Sequence, residues 1–175
     1  MYPYLRYLKL VYDAKRRGPL DITDESVLSM RAWPGDVDMF MELNNGRHMT
    51  LMDLGRFDLA ARSGLLKVTR ERDWGFAVAG ASIRFRYRIR FMECFNLRTK
   101  LIGLDDRWFY FEQRTEVDGK TCSSALVRGA VVSKKGAVPL EESLSAIGRK
   151  GLALPLPDWV KSWAEADSMR PWPEG

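Results

Sequence analysis

The sequence is poor in the side chains that most often build metal centres and disulfide frameworks. Its 175 residues contain one histidine, His48, and two cysteines, Cys94 and Cys122. One imidazole and two separated thiols are too few for a zinc site, and two cysteines do not form a disulfide framework. We therefore expect no bound metal and a cytoplasmic location.

Long apolar runs and two well-known functional motifs are also missing. No apolar run approaches the roughly 18 residues that cross a bilayer, and the first residues lack the apolar core and cleavage site of a signal peptide. A glycine-rich phosphate loop and a Gly-x-Ser-x-Gly nucleophile motif are absent as well. We therefore expect neither a membrane-spanning protein nor a serine hydrolase of the nucleophile-elbow type.

What is present suits one globular domain. Hydrophobic residues make up 46% of the chain, and no shift in composition marks a second domain, so we expect a single domain over residues 1–175. The formal net charge is +5, which favours anionic partners without identifying one.

The N-terminal residues 3–17 predict an amphipathic helix. Five apolar residues share one helical stripe, and cations lie outside it; the stripe contains Tyr4, Leu5, Leu8, Val11 and Tyr12. Two interpretations stay open. The helix is either a strap that packs on the domain or on a partner subunit, or an anchor at a membrane surface.

A strand and a long helix follow. Residues 26–33 alternate loosely as a strand that Pro34 and Gly35 end, and residues 45 to about 66 have helical periodicity with apolar residues on most sides. Asp53 and Arg56, three residues apart, project within the apolar arc of this helix. They form either a partly buried ion pair that fixes helix docking, or part of a pocket at a subunit interface.

The remainder is rich in predicted strands. Residues 77–91 alternate in a long period-two run that predicts one core face and one basic face. Further strands are predicted at residues 96–104, 107–117 and 121–133, and the hairpin signal Asp118-Gly119 makes the sheet antiparallel. A helix is expected at residues 140–147, ending near Gly148, followed by a tail that lies against the sheet; that tail carries Trp159, Trp163 and Trp172.

The basic face admits three interpretations; it comprises Arg84, Arg86, Arg88 and Arg90, with an extension to Arg98 and Lys100. It is a solvated face with Glu112 and Glu116 as partners, or its end grips the phosphates of coenzyme A or a pantetheine arm, or it binds nucleic acid. The neighbouring aromatic residues point to the opposite face and offer bases no stacking platform, so we expect no nucleic-acid partner.

The most informative segment is residues 36–48, where a strand gives way to the long helix. It places Asp36, Asp38 and Glu42 close to an Asn pair at the helix start. A helix start presents unsatisfied N–H groups that can hold an oxyanion, while a nearby carboxylate supplies a nucleophile or base. The Asn pair either caps the helix or adds polarity to a pocket.

This layout and segment resemble the hotdog-fold thioesterases, in particular the 4-hydroxybenzoyl-CoA thioesterase-like branch. The elements that carry the resemblance are the Asp-x-Asp unit, the Asn pair, a ring residue and an Asp-Arg spacing on the helix; they read Asp36-Val37-Asp38, Asn44-Asn45, His48, Asp53 and Arg56. The resemblance covers residues 26–133. It implies an α+β hotdog fold, in which an antiparallel five-stranded sheet wraps around a long central helix with helical extensions at residues 1–20 and 134–175.

The resemblance also implies a function and a site. Asp38 falls where this branch carries its catalytic aspartate, which acts as nucleophile or as general base on an acyl thioester of coenzyme A or an acyl carrier. The alternative for Asp38 is an ordinary turn-forming Asp. Substrate contacts are implied for Asn44, Gly46, Arg47, Asp53, Arg56, Arg88 and Arg90, and a catalytic contribution for Asn45. No cofactor is implied beyond the coenzyme A moiety of the substrate, and the expected assembly is a homodimer or a dimer of dimers.

Two residues depart from the pattern of this branch. Glu42 stands where many relatives carry His, and it either acts as a base or repels the anionic Asp38. His48 replaces an aromatic Tyr, and it titrates near neutral pH, donates to the thioester, or fills the aromatic slot. A non-catalytic acyl-thioester-binding scaffold, peripheral at a membrane, is therefore the alternative function.

Overall fold

A computed structural model describes residues 2–171 and 173 and contains one antiparallel sheet around a long helix. The elements in chain order are α1 Tyr4–Arg17, β1 Glu25–Arg31, a 3-10 helix Pro34–Asp36, α2 Asn45–Arg62, α3 Leu65–Glu71, β2 Gly75–Phe85, β3 Cys94–Leu104, β4 Phe109–Val117, β5 Lys120–Ser133, β6 Gly136–Ala137, α4 Leu140–Ala146 and α5 Asp158–Ser168. None of these helices is long and apolar enough to cross a bilayer.

The sheet confirms the predicted α+β architecture. Its strand order is β1-β3-β4-β5-β2, all neighbours are antiparallel, and the two-residue β6 pairs with the end of β5. The predicted hairpin between β4 and β5 is present, because Asp118 and Gly119 both adopt positive φ angles of 48° and 76°. Two consecutive left-handed residues match the twist of the flanking strands, which is why Asp-Gly is favoured in such turns.

The helix α2 packs across the sheet at a position where only glycine fits. A Cβ added to Gly55 would collide with Thr99 Oγ1 and lie 3.0 Å from Gln113 Nε2. Next to it, Arg56 donates to the side chain of Gln113, whose own Nε2 donates to Thr99 Oγ1 and to the Met52 carbonyl. The backbone of α2 therefore approaches β3 and β4 closely through a satisfied polar contact within the core.

The central helix is shorter than predicted. The apolar periodicity to about residue 66 spans two helices, because α2 ends at Arg62 and α3 begins at Leu65. Gly64 between them has a φ of 85°, a left-handed conformation that interrupts the helix. Apolar periodicity continued across the break because Leu65 and Leu66 still face the core.

The long alternating run is also shorter as a strand, and most of its predicted core face is wrong. A register shift between Val78 and Gly80 marks a bulge, and Ala79, Ala81 and Phe85 are exposed within β2. Beyond the end of β2 at Phe85, Ile89 is buried, but Tyr87 and Phe91 are exposed. The pattern of alternation persisted in the sequence after the ladder itself had ended.

The helix α1 packs on the domain, as the strap interpretation predicted, but with a different face. Leu10 and Ala14 are buried, with Tyr7 and Val11 packed beside them. The predicted apolar stripe points outward apart from Val11. The C-terminal end of α1 is held by Arg17, which pairs with the fully buried Asp58 carboxylate.

The C-terminal segment contains one more helix than predicted. The predicted helix ending near Gly148 is confirmed as α4, but residues 158–168 form the unpredicted helix α5. Trp163 packs on the outer face of the sheet beside Tyr110 and Leu126, whereas Trp159 is exposed. Trp172 lies outside the described residues.

We expect Gly55→Ala to lower the free energy of unfolding by about 1–3 kcal/mol, because the methyl group overpacks the contact between α2 and the sheet. Gly35→Ala is the matched control, since a Cβ there meets nothing within 4 Å. Urea denaturation of both variants measures the difference. Equal stabilities would contradict the close approach of α2.

Candidate functional site

The predicted catalytic residue Asp38 lies in a tight turn before α2. The turn belongs to a small hairpin in which Val37 pairs with Leu43. The Asp38 N–H donates to the Glu42 carbonyl at 2.9 Å, and the Asp38 carboxylate accepts from the Phe40 N–H at 2.9 Å. Asp38 is half-buried, so its carboxylate is anchored on one side and accessible on the other.

The start of α2 is capped by Asn44. Its side-chain oxygen accepts from the N–H groups of Gly46, at 2.9 Å, and of Arg47, at 3.3 Å. Capping, one of the two interpretations of the Asn pair, is therefore observed for Asn44. The backbone N–H groups of Gly46 and Arg47 are thus bound within the chain. Among the described residues of this helix start, the backbone N–H of Asn45 is the donor left for a substrate oxygen.

Asp36, the first carboxylate of the Asp-x-Asp unit, is a buried ion-pair centre. It accepts from Arg6 at 2.6 Å, from Arg47 at 2.7 Å and from the Trp33 N–H at 3.0 Å. Burial raises the pKa of Asp36, but these three donors outweigh burial and hold it below its usual range. The guanidinium of Arg47 is thus bound by Asp36, and the sequence offered no signal for the contribution of Arg6.

Glu42 and Arg88 form an ion pair at 2.9 Å at the base of the Asp38 turn. Glu42 also pairs through its backbone with Arg90, whose side chain is exposed. The predicted pairing of the basic face with Glu116 is confirmed at its extension, where Glu116 on β4 accepts from Arg98 of the adjacent β3 at 2.6 Å. Within residues 84–90, Arg88 pairs with Glu42 instead. Two of the cations predicted to hold phosphates, Arg88 and Arg90, therefore flank the Asp38 turn.

His48 is buried one turn into α2. Its Nδ1 lies 3.2 Å from Ser123 Oγ, which lies 2.7 Å from Thr115 Oγ1, and its ring packs edge-on against Phe85. Burial lowers the pKa of His48 to about 4, so the imidazole is neutral at neutral pH. The two hydroxyl partners lie on the inner face of β4 and β5, and no motif in the sequence marked them.

Asp53 and Arg56 line a largely apolar cavity of about 220 Å³ between α2 and the sheet. Their side chains form an ion pair, as predicted, and Arg56 is mostly buried. Burial raises the pKa of Asp53 against the effect of Arg56. The apolar walls come from both layers and include Phe57, Ala60, Phe76, Ala77, Phe109 and Val131.

The structure thus distributes the predicted site over three places. Asp38, Glu42, Arg88 and Arg90 surround the turn, and Asn44, Asn45 and Gly46 form the adjoining helix start. Asp53 and Arg56 line the cavity further along α2. His48 is buried on α2 between the helix start and these two residues. Among residues 2–171 and 173, no group of three or more His, Cys, Asp or Glu side chains is arranged to hold a metal.

Curated proteins similar to this chain carry the name THEM6. Protein THEM6 of Xenopus laevis is 36% identical over 94 residues, which cover 54% of this chain and 45% of that protein. Protein THEM6 of Drosophila melanogaster is 29% identical over 148 residues, which cover 83% of this chain and 75% of that protein. The matched region therefore spans less than half the length of the Xenopus relative.

A solved structure shows the fold, and a family model shows the family. A 1,4-dihydroxy-2-naphthoyl-CoA thioesterase from Synechocystis superposes with a TM-score of 0.61 at 11% identity, covering 71% of this chain and 96% of that chain. The model of the thioesterase-like superfamily matches residues 32–164. The chain therefore has the hotdog fold and belongs to the thioesterase-like superfamily.

Proposed function

We propose that this protein is an acyl-CoA thioesterase-like hydrolase that acts in the cytoplasm. The observation that carries the proposal is the position of Asp38. The chain is a member of the thioesterase-like superfamily, and Asp38 is half-buried in a turn. Across the small hairpin its N–H pairs with the carbonyl of Glu42, which lies two residues before Asn44, the cap of α2.

Asp38 supplies the carboxylate for hydrolysis. It either attacks the thioester carbon, giving an anhydride that water then hydrolyses, or accepts a proton from the water that attacks directly. Either route breaks the carbon–sulfur bond and releases the coenzyme A thiolate and the carboxylic acid. The Phe40 N–H bound to Asp38 is the hydrogen bond of an Asx turn, which an ordinary turn-forming Asp also makes; in this proposal it fixes the orientation of the carboxylate.

Charge at the turn supports the binding of the coenzyme A part. Arg88 and Arg90 present cations beside Asp38, and the Arg90 side chain is exposed. Guanidinium groups bind phosphates through paired hydrogen bonds. Glu42 is held by Arg88, so in this proposal it orients that cation and does not act as the base.

The cavity beside Asp53 and Arg56 supports the binding of the acyl part. Its walls are apolar, and its volume of about 220 Å³ exceeds the roughly 150 Å³ cavity that accepts a benzene ring. One aromatic ring or a medium-length chain fits this space. Arg56 is bound by Asp53 and Gln113, so the pair provides one polar wall without an uncompensated charge.

A homodimer completes the proposed assembly. The strand β2 is an edge of the sheet, with β5 on one side, and it is eleven residues long. Phe76 and Val78 on this edge are exposed, and Phe76 also lines the cavity. A long, apolar edge strand favours pairing with another strand, and a second copy seated there would lie next to the acyl cavity.

The second candidate is a non-catalytic acyl-thioester-binding scaffold. It is favoured by the same two departures noted in the sequence: Glu42 is engaged by Arg88, and His48 is a buried, neutral ring. Both residues would then serve structure alone. Acyl-CoA binding without turnover distinguishes this candidate from the hydrolase.

We expect Asp38→Asn to lower kcat/KM for acyl-CoA hydrolysis at least about 100-fold, because the amide is neither a nucleophile nor a base. Thiol release from a panel of acyl-CoAs measures the rate, and Asp106→Asn, an exposed turn residue, is the control. Full activity in Asp38→Asn contradicts the assignment of Asp38. Binding of acyl-CoA by an inactive wild type would instead favour the scaffold.

Filling the cavity is expected to change acyl selectivity. Ala77→Leu on β2 places three extra carbons in the cavity, so kcat/KM for octanoyl-CoA should fall at least about tenfold while that for acetyl-CoA stays within about twofold. Ala79→Leu is the matched control, because Ala79 is exposed on the same strand and does not line the cavity. An equal effect on both substrates would place the acyl group elsewhere.

The buried His48 predicts a pH dependence of stability. Its pKa is about 4 in the folded chain and about 6.5 when unfolded, so the unfolded state binds more protons between these values. The free energy of unfolding should fall by about 3 kcal/mol as pH drops from 6.5 to 4, and this component should be absent from His48→Phe. Urea titrations of both proteins across this range test it; identical slopes would show that His48 is accessible and charged.

A further inference from the structure

The outward side of α1 carries an apolar surface that the domain does not use. Four side chains form this outer stripe, and Leu5 and Leu8 are 85% and 62% exposed; the outer stripe consists of Tyr4, Leu5, Leu8 and Tyr12. Their spacing places all four within about 100° of the helix circumference. They therefore form one continuous strip along the helix.

The outer stripe is separate from the face that docks α1. Leu10 and Ala14 pack inward, and Arg6 and Arg17 hold the helix through ion pairs to Asp36 and Asp58. The orientation of the helix is thus fixed by buried contacts that leave the outer stripe in water. Exposed apolar strips of this kind, on a helix already docked by its other side, mark a surface for another partner.

The charges beside the outer stripe are positive. Lys15 and Arg16 are exposed, and Arg16 lies over the Tyr12 ring at 4.6 Å and donates to its hydroxyl group at 2.5 Å. Lys9 is also exposed and pairs with Asp13, the one acidic residue of α1. A surface complementary to this one is therefore apolar at its centre and anionic around it.

We propose that the outer stripe of α1 binds the surface of an anionic lipid bilayer. The 14 residues of α1 form a helix about 21 Å long that would lie in the plane of the interface. Leu5 and Leu8 enter the acyl region, the Tyr4 and Tyr12 hydroxyl groups stay at headgroup level, and Lys15 and Arg16 contact lipid phosphates. A second copy of the chain fits less well, because the exposed charges beside its own outer stripe, Lys15 and Arg16, are positive as well.

Co-sedimentation with vesicles tests this proposal independently of hydrolysis. Vesicles of phosphatidylcholine alone are compared with vesicles containing about 30% phosphatidylserine, which supply a negative surface potential. We expect the 175-residue chain to bind the anionic vesicles and not the neutral ones. Leu5→Ser with Leu8→Ser should weaken binding at least about tenfold, because two exposed leucines no longer enter the apolar layer.

Two further variants keep the test specific. Lys15→Gln with Arg16→Gln should weaken binding to anionic vesicles without changing the core, since both side chains are exposed. Trp159→Ser with Met169→Ser removes two exposed apolar residues from α5 and its C-terminal cap, and this variant should bind as the wild type does. Thermal unfolding of each variant confirms that it is folded.

Three outcomes would overturn the proposal. They are equal binding to both vesicle types, retention of the Leu5→Ser, Leu8→Ser variant on anionic vesicles, and absence of binding by the wild type. If the wild type fails to bind while light scattering shows that the same leucine variant halves the particle mass, the outer stripe is a contact between copies of the chain.

Discussion

The close approach of α2 to the sheet is the constraint on which the rest of the structure depends. It requires glycine at position 55, and it places Arg56 where Gln113 accepts its hydrogen bond from the sheet, with Gln113 itself donating to Thr99. With the helix fixed at that depth, its N-terminus meets the residue 37–43 hairpin and its middle faces the strands that line the cavity. The two regions proposed to handle the thioester and its acyl group are thus set by one packing contact.

The predicted elements that rely on local chemistry agree with the structure. The Asp118-Gly119 turn, the strands on either side of it and the Asn44 cap are each specified by residues within a few positions of one another. The antiparallel arrangement of the sheet followed because short turns force antiparallel neighbours, whereas the hotdog fold was implied by the resemblance to the thioesterases. These features need no knowledge of distant contacts.

The errors arose where distant contacts decide. A bulge and the end of the pairing with β5 stop β2 although alternation continues in the sequence. The Asp-x-Asp pattern, likewise, predicted that Asp36 and Asp38 are neighbouring carboxylates of one unit. Only the tertiary partners Arg6 and Arg47 make the first a buried ion-pair centre and leave the second available. The end of α2 is a different case, because Gly64 is a local stop signal that the continuing apolar periodicity masked.

Ion pairs give the N-terminal helix α1 an electrostatic role inside the domain. Arg6 and Arg17 each pair with a buried carboxylate, Asp36 directly before the proposed catalytic turn and Asp58 in the last two turns of α2. Arg47 and Arg62 pair with the same two carboxylates from within the domain. The helix α1 is therefore a second counterion for the hotdog core, and without it each buried carboxylate would keep one cation and lose the other.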